Sequence, residues 1–263
     1  MFKKVLTSGV IFLLVMVVVS SLRAEERPQA DFSVDVLSQY VWRGFALSDD
    51  SVVIEPSMTV SYYGFYLNLW GNYDTDREND HDPTLDGADW DETDFTFGYT
   101  YDKLPFGLSL DLGTIYYALD GDDSFELYAG LAGSCPVTGL GLGVKFYREI
   151  SHYPAWWIEL SAGREFVLPW HGANLNLSLE AMYLDSEDSG AYPDPDDLDE
   201  FSGWLYLKLG GELNIPLGQY FTLTPKVYYN VSLSDDADGL LEGGSWDSKH
   251  DHFYGGIGLS FSF

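Results

Sequence analysis

Apolar and polar residues alternate with a period of two along most of the chain. Between residues 173 and 184, for example, Leu175, Leu177 and Leu179 alternate with Asn176 and Ser178. Successive side chains of a strand point to opposite faces, so this pattern predicts strands that turn one face toward an apolar phase.

The alternation predicts about twelve strands, and an even number is the rule in single-chain bacterial barrels. They are expected near residues 31–44, 52–63, 65–73, 93–102, 107–118, 124–133, 140–149, 156–166, 173–184, 201–214, 219–232 and 252–263.

The connections between these strands alternate in length. The short ones contain turn residues, as at Tyr63-Gly64, and the longer ones carry acidic runs at Asp74–Glu92, Asp185–Glu200 and Asp235–Asp251. A transmembrane antiparallel up-and-down β-barrel has this rhythm, with short periplasmic turns, longer extracellular loops and both termini in the periplasm. We therefore predict an all-β barrel with acidic external loops.

A soluble β-sandwich is the alternative fold, because its strands also alternate apolar and polar positions. Two features favour the barrel. The predicted strands reach the ~9 to 11 residues that span a bilayer at a tilt. Aromatic residues also lie near the ends of the apolar face, as interfacial girdles do; they are Tyr40, Trp42, Tyr62, Tyr101, Tyr116, Trp156 and Tyr183.

Residues 1–24 have the pattern of a secretory signal peptide. Two lysines precede an apolar run from Val10 to Val19, and small residues lead to Ala24. The run is about half as long as a membrane-crossing helix needs. We expect cleavage after Ala24 and a single barrel domain over residues 25–263, with a retained membrane anchor as the alternative.

The charge of the chain is strongly acidic, with a formal net charge of −29. This balance argues against binding nucleic acid or an anionic surface through a basic patch. Cys135 is the single cysteine, so the fold has no internal disulfide.

The residues of opposite parity to the apolar face are predicted to line the barrel lumen. Acidic residues outnumber basic ones by about two to one in this set, so a conducting lumen should favour cations, as carboxylate rings do. Alternatively, the charges pair with one another and hold a closed interior together. The charged positions are Asp35, Arg43, Glu55, Asp94, Asp111, Glu126, Lys145, Glu159, Glu165, Glu180, Lys208, Glu212 and Lys226.

Aromatic residues share the inward parity. They could form a stacking track for a sugar, nucleoside or aromatic solute, or they could simply fill the interior of a barrel of this size. The set is Tyr66, Trp70, Tyr117, Tyr128, Tyr147, Trp157, Trp204, Tyr206, Tyr228 and Tyr254.

The last predicted strand alternates apolar residues back from a terminal aromatic. Tyr254, Ile257, Leu259, Phe261 and Phe263 resemble the C-terminal signal that the barrel-assembly machinery reads in outer-membrane proteins. The alternative is an edge strand without a signalling role.

Two motifs near the start of the barrel resemble a known family. Ser38-Gln39-Tyr40-Val41-Trp42-Arg43-Gly44 follows an S-x-Y-x-x-R-G pattern, and Gly64-Phe65-Tyr66-Leu67-Asn68-Leu69-Trp70 follows a G-x-Y-x-x-x-W pattern. Both look like the TorF-like family of poorly characterised outer-membrane porins. The resemblance covers the first half of the barrel and implies this architecture without a substrate, and the acidic inserts around Asp80 and Asp194 depart from it.

These patterns predict a porin-like channel of the bacterial outer membrane, for passive or weakly selective passage of small solutes, with a preference for cations or neutral species. A closed barrel that acts structurally, or presents its acidic loops to partners, is the alternative. A barrel hydrolase has less support, because no histidine has a recognisable spacing to a serine nucleophile. The histidines are His81, His152, His171, His250 and His252.

We predict no catalytic, cofactor-binding or metal-ligating residues. Weak binding of Ca²⁺ or Mg²⁺ between acidic loops and lipopolysaccharide is a further hypothesis, although Ser234–Gly239 departs from an EF-hand loop. The expected partners are the outer membrane with its lipopolysaccharide, the barrel-assembly machinery during biogenesis, and small solutes.

Overall fold

The computed structural model describes residues 27–49, 51–77 and 87–263. The predicted signal peptide, Asp80 and His81 lie outside these residues. The described strands and helix are β1 (Gln29–Leu37), β2 (Val41–Trp42), β3 (Phe45–Ala46), β4 (Val53–Tyr62), β5 (Phe65–Asp74), β6 (Asp89–Tyr101), β7 (Leu108–Leu119), β8 (Ser124–Ser134), β9 (Gly141–Glu149), β10 (Ala155–Val167), β11 (Asn174–Ser186), β12 (Ser202–Leu217), β13 (Phe221–Ser232), α1 (Asp235–Gly244) and β14 (His252–Ser262).

The long strands form a closed antiparallel barrel. β1 and then β4 to β14 pair in chain order, and β14 closes the ring by pairing with β1. The described residues therefore contain a barrel of twelve strands, which confirms the fold predicted from the alternation. β2 and β3 form a separate small hairpin.

The apolar parity lies on the outside of the barrel. Phe95 and Phe97 of β6 are 52% and 50% exposed, and Leu67 of the neighbouring strand is 60% exposed. Large apolar side chains are exposed around the whole ring, far more than a soluble monomer shows, and this surface suits the hydrocarbon of a bilayer.

The connections give the barrel two different ends. Tyr63 and Gly64 have φ angles of 52° and 81°, which makes the β4–β5 connection a two-residue turn of the type that matches strand twist. We call the end of the barrel with this turn the turn end. The opposite end, at which residues 38–52, 187–201 and 233–251 connect strands, is the loop end.

The predicted first strand is too long. The chain leaves the barrel wall after Leu37 and returns at Val53, and the hairpin of β2 and β3 lies between them. The predicted girdle positions Tyr40 and Trp42 are therefore wrong, since neither lies on the outer surface. Alternation continues through this segment because the hairpin is itself extended, and a period of two cannot distinguish it from the wall.

A helix lies in the acidic run that was predicted to be a loop. The Ser234 side chain caps α1 by accepting a hydrogen bond from the Ala237 amide, and acidic residues in the first turn suit the positive end of the helix dipole. Leu240 and Leu241 of α1 are buried. No helix in the described part of the chain is long and apolar enough to cross a membrane.

An apolar cluster fills the loop end of the lumen. Trp157, Met182 and Tyr206 from the barrel wall pack with Phe45 of the inner hairpin and Leu241 of α1. All five side chains are at most 5% exposed. The barrel therefore has an inner core at one end, which a wide aqueous pore lacks.

Candidate functional site

The first loop folds into the barrel as a tight hairpin. Arg43 and Gly44 form its turn with φ angles of 46° and 90°, and both central positions of this turn type need positive φ. A Cβ on Gly44 would lie 2.7 Å from Cδ1 of Tyr206. Glycine is therefore required there both for the backbone and for packing against the wall.

The base of the hairpin is held by the last loop. The Gln39 amide donates a hydrogen bond of 2.8 Å to the Asp247 carboxylate. The Ala46 backbone accepts one of 2.8 Å from the Trp246 amide. Burial raises the pKa of Asp247, but the His252 ring at 3.5 Å and the hydrogen bond from Gln39 outweigh it and hold this pKa at about 2.

Arg43 at the hairpin tip reaches the opposite wall of the barrel. Its two terminal nitrogens donate to the two carboxylate oxygens of Glu126 on β8, at 2.6 and 2.8 Å. The Glu126 carboxylate also accepts a hydrogen bond of 2.9 Å from the Tyr117 hydroxyl. Since β8 lies five strands from β1 around the ring, this bidentate pair bridges the lumen.

Three aromatic rings surround the Arg43 guanidinium. Its central carbon lies 4.7 Å from the centre of the Trp42 ring, 4.4 Å from Tyr147 and 4.8 Å from Trp157. These are cation–π distances, and the site is desolvated because the Arg43 side chain is only 8% exposed. The sequence prediction placed Arg43 inside the lumen, but on a wall strand; the structure places it on an inserted hairpin.

A second contact joins the hairpin segment to β5 and β6. The Tyr40 hydroxyl donates a hydrogen bond of 2.9 Å to Glu92, and its ring lies 5.4 Å from that of Trp70. Glu92 was absent from the predicted lumen set although it has the same parity as Asp94. Extending the β6 alternation by one inward position would have found it.

The lysines predicted to line the lumen all lie in ion pairs. Lys145 is 3.3 Å from Asp111, Lys208 is 2.7 Å from Glu180, and Lys226 is 2.7 Å from Asp35. With Arg43 and Glu126, the structure thus brings together four oppositely charged pairs from the predicted set. These pairs agree with the alternative in which charges hold the interior together.

Other acidic residues of the set lack a cationic partner among the described residues. Glu159 accepts a hydrogen bond of 3.1 Å from Tyr147, and Glu212 accepts one from Tyr228. One oxygen of Asp94 is buried without a hydrogen-bond partner. An excess of carboxylate over cation therefore remains inside the barrel.

The inward aromatic residues form several small groups instead of one continuous track. The Tyr66 and Tyr128 hydroxyls are hydrogen-bonded, and the Tyr228 and Tyr254 rings lie 5.2 Å apart. Trp204 is a wrong prediction, because a register shift between β11 and β12 turns it outward, where it is 43% exposed. A bulge cannot be read from simple alternation.

The predicted C-terminal assembly signal is divided between the two faces of β14. Ile257, Leu259 and Phe263 are 44%, 46% and 73% exposed on the outside, on the same parity as Phe261. Tyr254 is buried on the lumen side, so it does not share the face of the others.

The described histidines take part in local contacts. His250 Nδ1 lies 2.8 Å from Glu242, and the buried His252 lies 3.5 Å from Asp247. Within the described residues, no group of three or more His, Cys, Asp or Glu side chains is arranged to hold a metal ion.

Comparison with known proteins connects this architecture to outer-membrane channels. A family described as bacterial protein of unknown function (Gcw_chp) matches residues 26–138. This match does not confirm the TorF-like resemblance that the motifs suggested. No curated protein matches the chain in sequence.

Several solved structures share the fold. The NanC porin has a TM-score of 0.58 at 9% identity, over 88% of this chain and 100% of the porin. The KdgM porin has a TM-score of 0.53 at 10% identity, over 89% of this chain and 99% of that one. An outer membrane channel from Pseudomonas putida F1 has a TM-score of 0.52 at 10% identity, over 90% and 94%. At such identities the likeness establishes the fold alone.

Proposed function

We propose that this protein is a channel of the bacterial outer membrane for small cationic or neutral solutes, and that the described conformation is its closed state. The observation that carries the proposal is a charged lumen, containing a cavity of about 370 Å³, inside a barrel with an apolar exterior. A hydrocarbon-facing surface around a polar interior is the arrangement that membrane channels require.

The fold supports the outer-membrane location. Barrels that match with TM-scores above 0.5 include two porins and an outer membrane channel. Export through the N-terminal signal peptide and assembly through the C-terminal strand complete the proposal, and the TorF-like resemblance is compatible with it. No catalytic step is assigned.

The lumen charges support a preference for cations. Each inward lysine is already paired with a carboxylate, whereas Glu159 and Glu212 are held by tyrosine hydroxyls only. The excess charge among these lumen residues is therefore negative, which attracts cations and repels anions.

The inner hairpin supports the proposal that the described conformation of the channel is closed. The hairpin and α1 fill the loop end, and the Arg43–Glu126 pair fixes the hairpin tip to the far wall. Passage of a solute requires this hairpin to move. A permanently closed structural barrel is the second candidate, and the apolar cluster beneath α1 favours it, because such a core costs free energy to open.

Single-channel current in planar bilayers tests the proposal. The refolded chain is compared with Arg43→Ala, which removes the lumen bridge, and with Arg148→Ala. Arg148 is a suitable control because its ion pair of 2.7 Å with Glu187 is independent of the hairpin.

We expect brief openings of the unsubstituted chain, longer openings of Arg43→Ala, and no change for Arg148→Ala. A gradient of potassium chloride should give a reversal potential of cation-selective sign. If none of the three folded barrels passes current, the channel proposal is contradicted and the structural alternative is supported. A reversal potential of anion-selective sign contradicts the charge argument.

A further inference from the structure

The cavity on the turn-end side of the inner hairpin has the features of a solute-binding site. It has a volume of about 370 Å³, within the range of small-molecule sites, and the walls of β1, β4 and β11 to β14 surround it together with Tyr40 and Val41 of the hairpin segment. The charged residues that line it are Asp35, Glu55, Glu180, Lys208, Glu212 and Lys226.

Glu55 is the unusual member of this set. It is 8% exposed, it lines the cavity, and its carboxylate makes no hydrogen bond or ion pair with any residue that the structure describes. A buried carboxylate without a partner is costly, and native proteins satisfy such groups or use them to bind a ligand.

The neighbours of Glu55 increase this cost. Asp35 lies directly opposite it in the β1–β4 register, so two carboxylates face each other on one side of the sheet. Lys226 binds Asp35 at 2.7 Å and is within salt-bridge distance of no other carboxylate among the described residues. Asp35 therefore takes the nearby lysine and Glu55 forms no ion pair with it, and like charges at opposite positions destabilise a sheet.

The other charges of the cavity do not favour an anion. Lys208 is paired with Glu180 at 2.7 Å, and Glu180 also accepts a hydrogen bond from Tyr206. Glu212 is held by the Tyr228 hydroxyl. Both lysines are thus already paired with carboxylates, and the lining has four carboxylates against two lysines, so the cavity suits a positively charged group better than an anion.

Aromatic side chains complete the site. The Tyr228 and Tyr254 rings lie 5.2 Å apart and both line the cavity, as does Tyr40 of the hairpin segment. Aromatic faces attract ammonium groups and pack against the methylene groups between them.

We propose that this cavity binds a small organic ammonium ion, with a primary amine seated against Glu55 and its aliphatic part against the tyrosines. A solute with two ammonium groups matches the excess of two carboxylates over lysines in the lining. This inference rests on the proposed channel function in naming its solute class, but binding itself does not require that the channel conducts.

Titration calorimetry on the refolded barrel in detergent micelles tests the site with three probes of equal chain length. They are 1,4-diaminobutane, the neutral 1,4-butanediol and the dianion succinate. We expect binding of the diamine that weakens as salt is raised, and at least tenfold weaker binding of the other two. Equal binding of the diol, or no binding of the diamine at low salt, overturns the proposal.

Variants locate the site. Glu55→Gln removes the charge with little change in shape and should weaken diamine binding at least tenfold. Glu165→Gln is the control, because Glu165 has the same inward parity on β10 and does not line the cavity; it should change affinity less than twofold. If Glu55→Gln does not fold, Glu212→Gln provides a second test with the same expected direction.

The results separate this inference from the channel proposal. Diamine binding that depends on Glu55, in a barrel that passes no current, supports the site and rejects the channel. Conductance without diamine binding, or with binding that Glu55→Gln leaves unchanged, retains the channel and rejects the site.

Discussion

Arg43 shows how much of this lumen depends on a single side chain. Its guanidinium combines a bidentate ion pair with three aromatic contacts, which a lysine could not reproduce because its ammonium group is neither planar nor forked. The sequence supported an inward position for Arg43. The identity of its partner could not be predicted, since Glu126 is 83 residues away along the chain.

Removing one member of the Arg43–Glu126 ion pair should lower the free energy of unfolding more than replacing both members. Arg43→Met leaves Glu126 buried without a counter-charge and should lower the free energy of unfolding by about 3–5 kcal/mol. Combining it with Glu126→Gln, which still accepts from Tyr117, should recover part of this loss. Urea unfolding from lipid vesicles, followed by tryptophan fluorescence, measures both; strictly additive losses would contradict the direct coupling.

Gly44 offers a separate test of the hairpin packing. Gly44→Ala places a side chain at positive φ, a strain of about 1–2 kcal/mol, and also brings Cβ against the buried Tyr206 ring. Gly218→Ala is the control, because Gly218 has a similar φ of 87° with nothing within 4 Å of its Cβ position. The melting temperature should fall further for Gly44→Ala, and equal shifts would show that the hairpin tip is not packed.

At the scale of elements, the hairpin of β2 and β3 and the helix α1 form one unit that closes the loop end. Phe45 of the hairpin packs with Leu240 and Leu241 of α1, and the backbone of Trp246 bonds to Ala46. Neither element was predicted. The hairpin continues the alternation of β1, and the acidic first turn of α1 has the composition of a solvated loop, so local patterns favoured the wrong assignment in both cases.

Acid should weaken the attachment of this unit through Asp247. The pKa of Asp247 is lowered to about 2 in the folded state, so its contribution to stability is present above the ordinary value near 4. It is then lost as the pH falls from about 4 to about 2. Tryptophan fluorescence should report loosening of the hairpin in this range.

Asp247→Asn is the matched variant for this titration. It keeps an acceptor for Gln39 but cannot change its charge, so its fluorescence should vary less between pH 4 and pH 2 than that of the unsubstituted chain. An identical pH profile in the two proteins would assign the change to other carboxylates.

At the scale of the whole molecule, a single layer of strands separates an apolar exterior from a polar lumen. The outer face is apolar around the ring, and the inner face carries ion pairs, tyrosines and a cavity. This division accommodates a chain with a net charge of −29, because described wall carboxylates such as Asp35, Glu126 and Glu180 face the lumen and not the apolar exterior.

Adjacent positions of β6 test the two faces. Phe97→Lys puts a charge on the outer surface near the middle of the strand and should destabilise the barrel in lipid vesicles by about 2–4 kcal/mol. Thr96→Lys puts the same charge on the lumen face and should have a smaller effect. Urea titration in vesicles measures the difference, and equal losses would contradict the assignment of faces.

The sequence by itself determined the closed β-barrel, its strand count and the faces of most wall residues. These properties follow from a period of two and from turn residues, which are local along the chain. The tertiary structure alone decided the inner hairpin, the helix, the pairing of lumen charges and the place of Glu55 in a cavity. Each of these depends on contacts between residues far apart in sequence, such as Arg43 with Glu126 and Asp35 with Lys226, and alternation contains no information about which inward side chains meet.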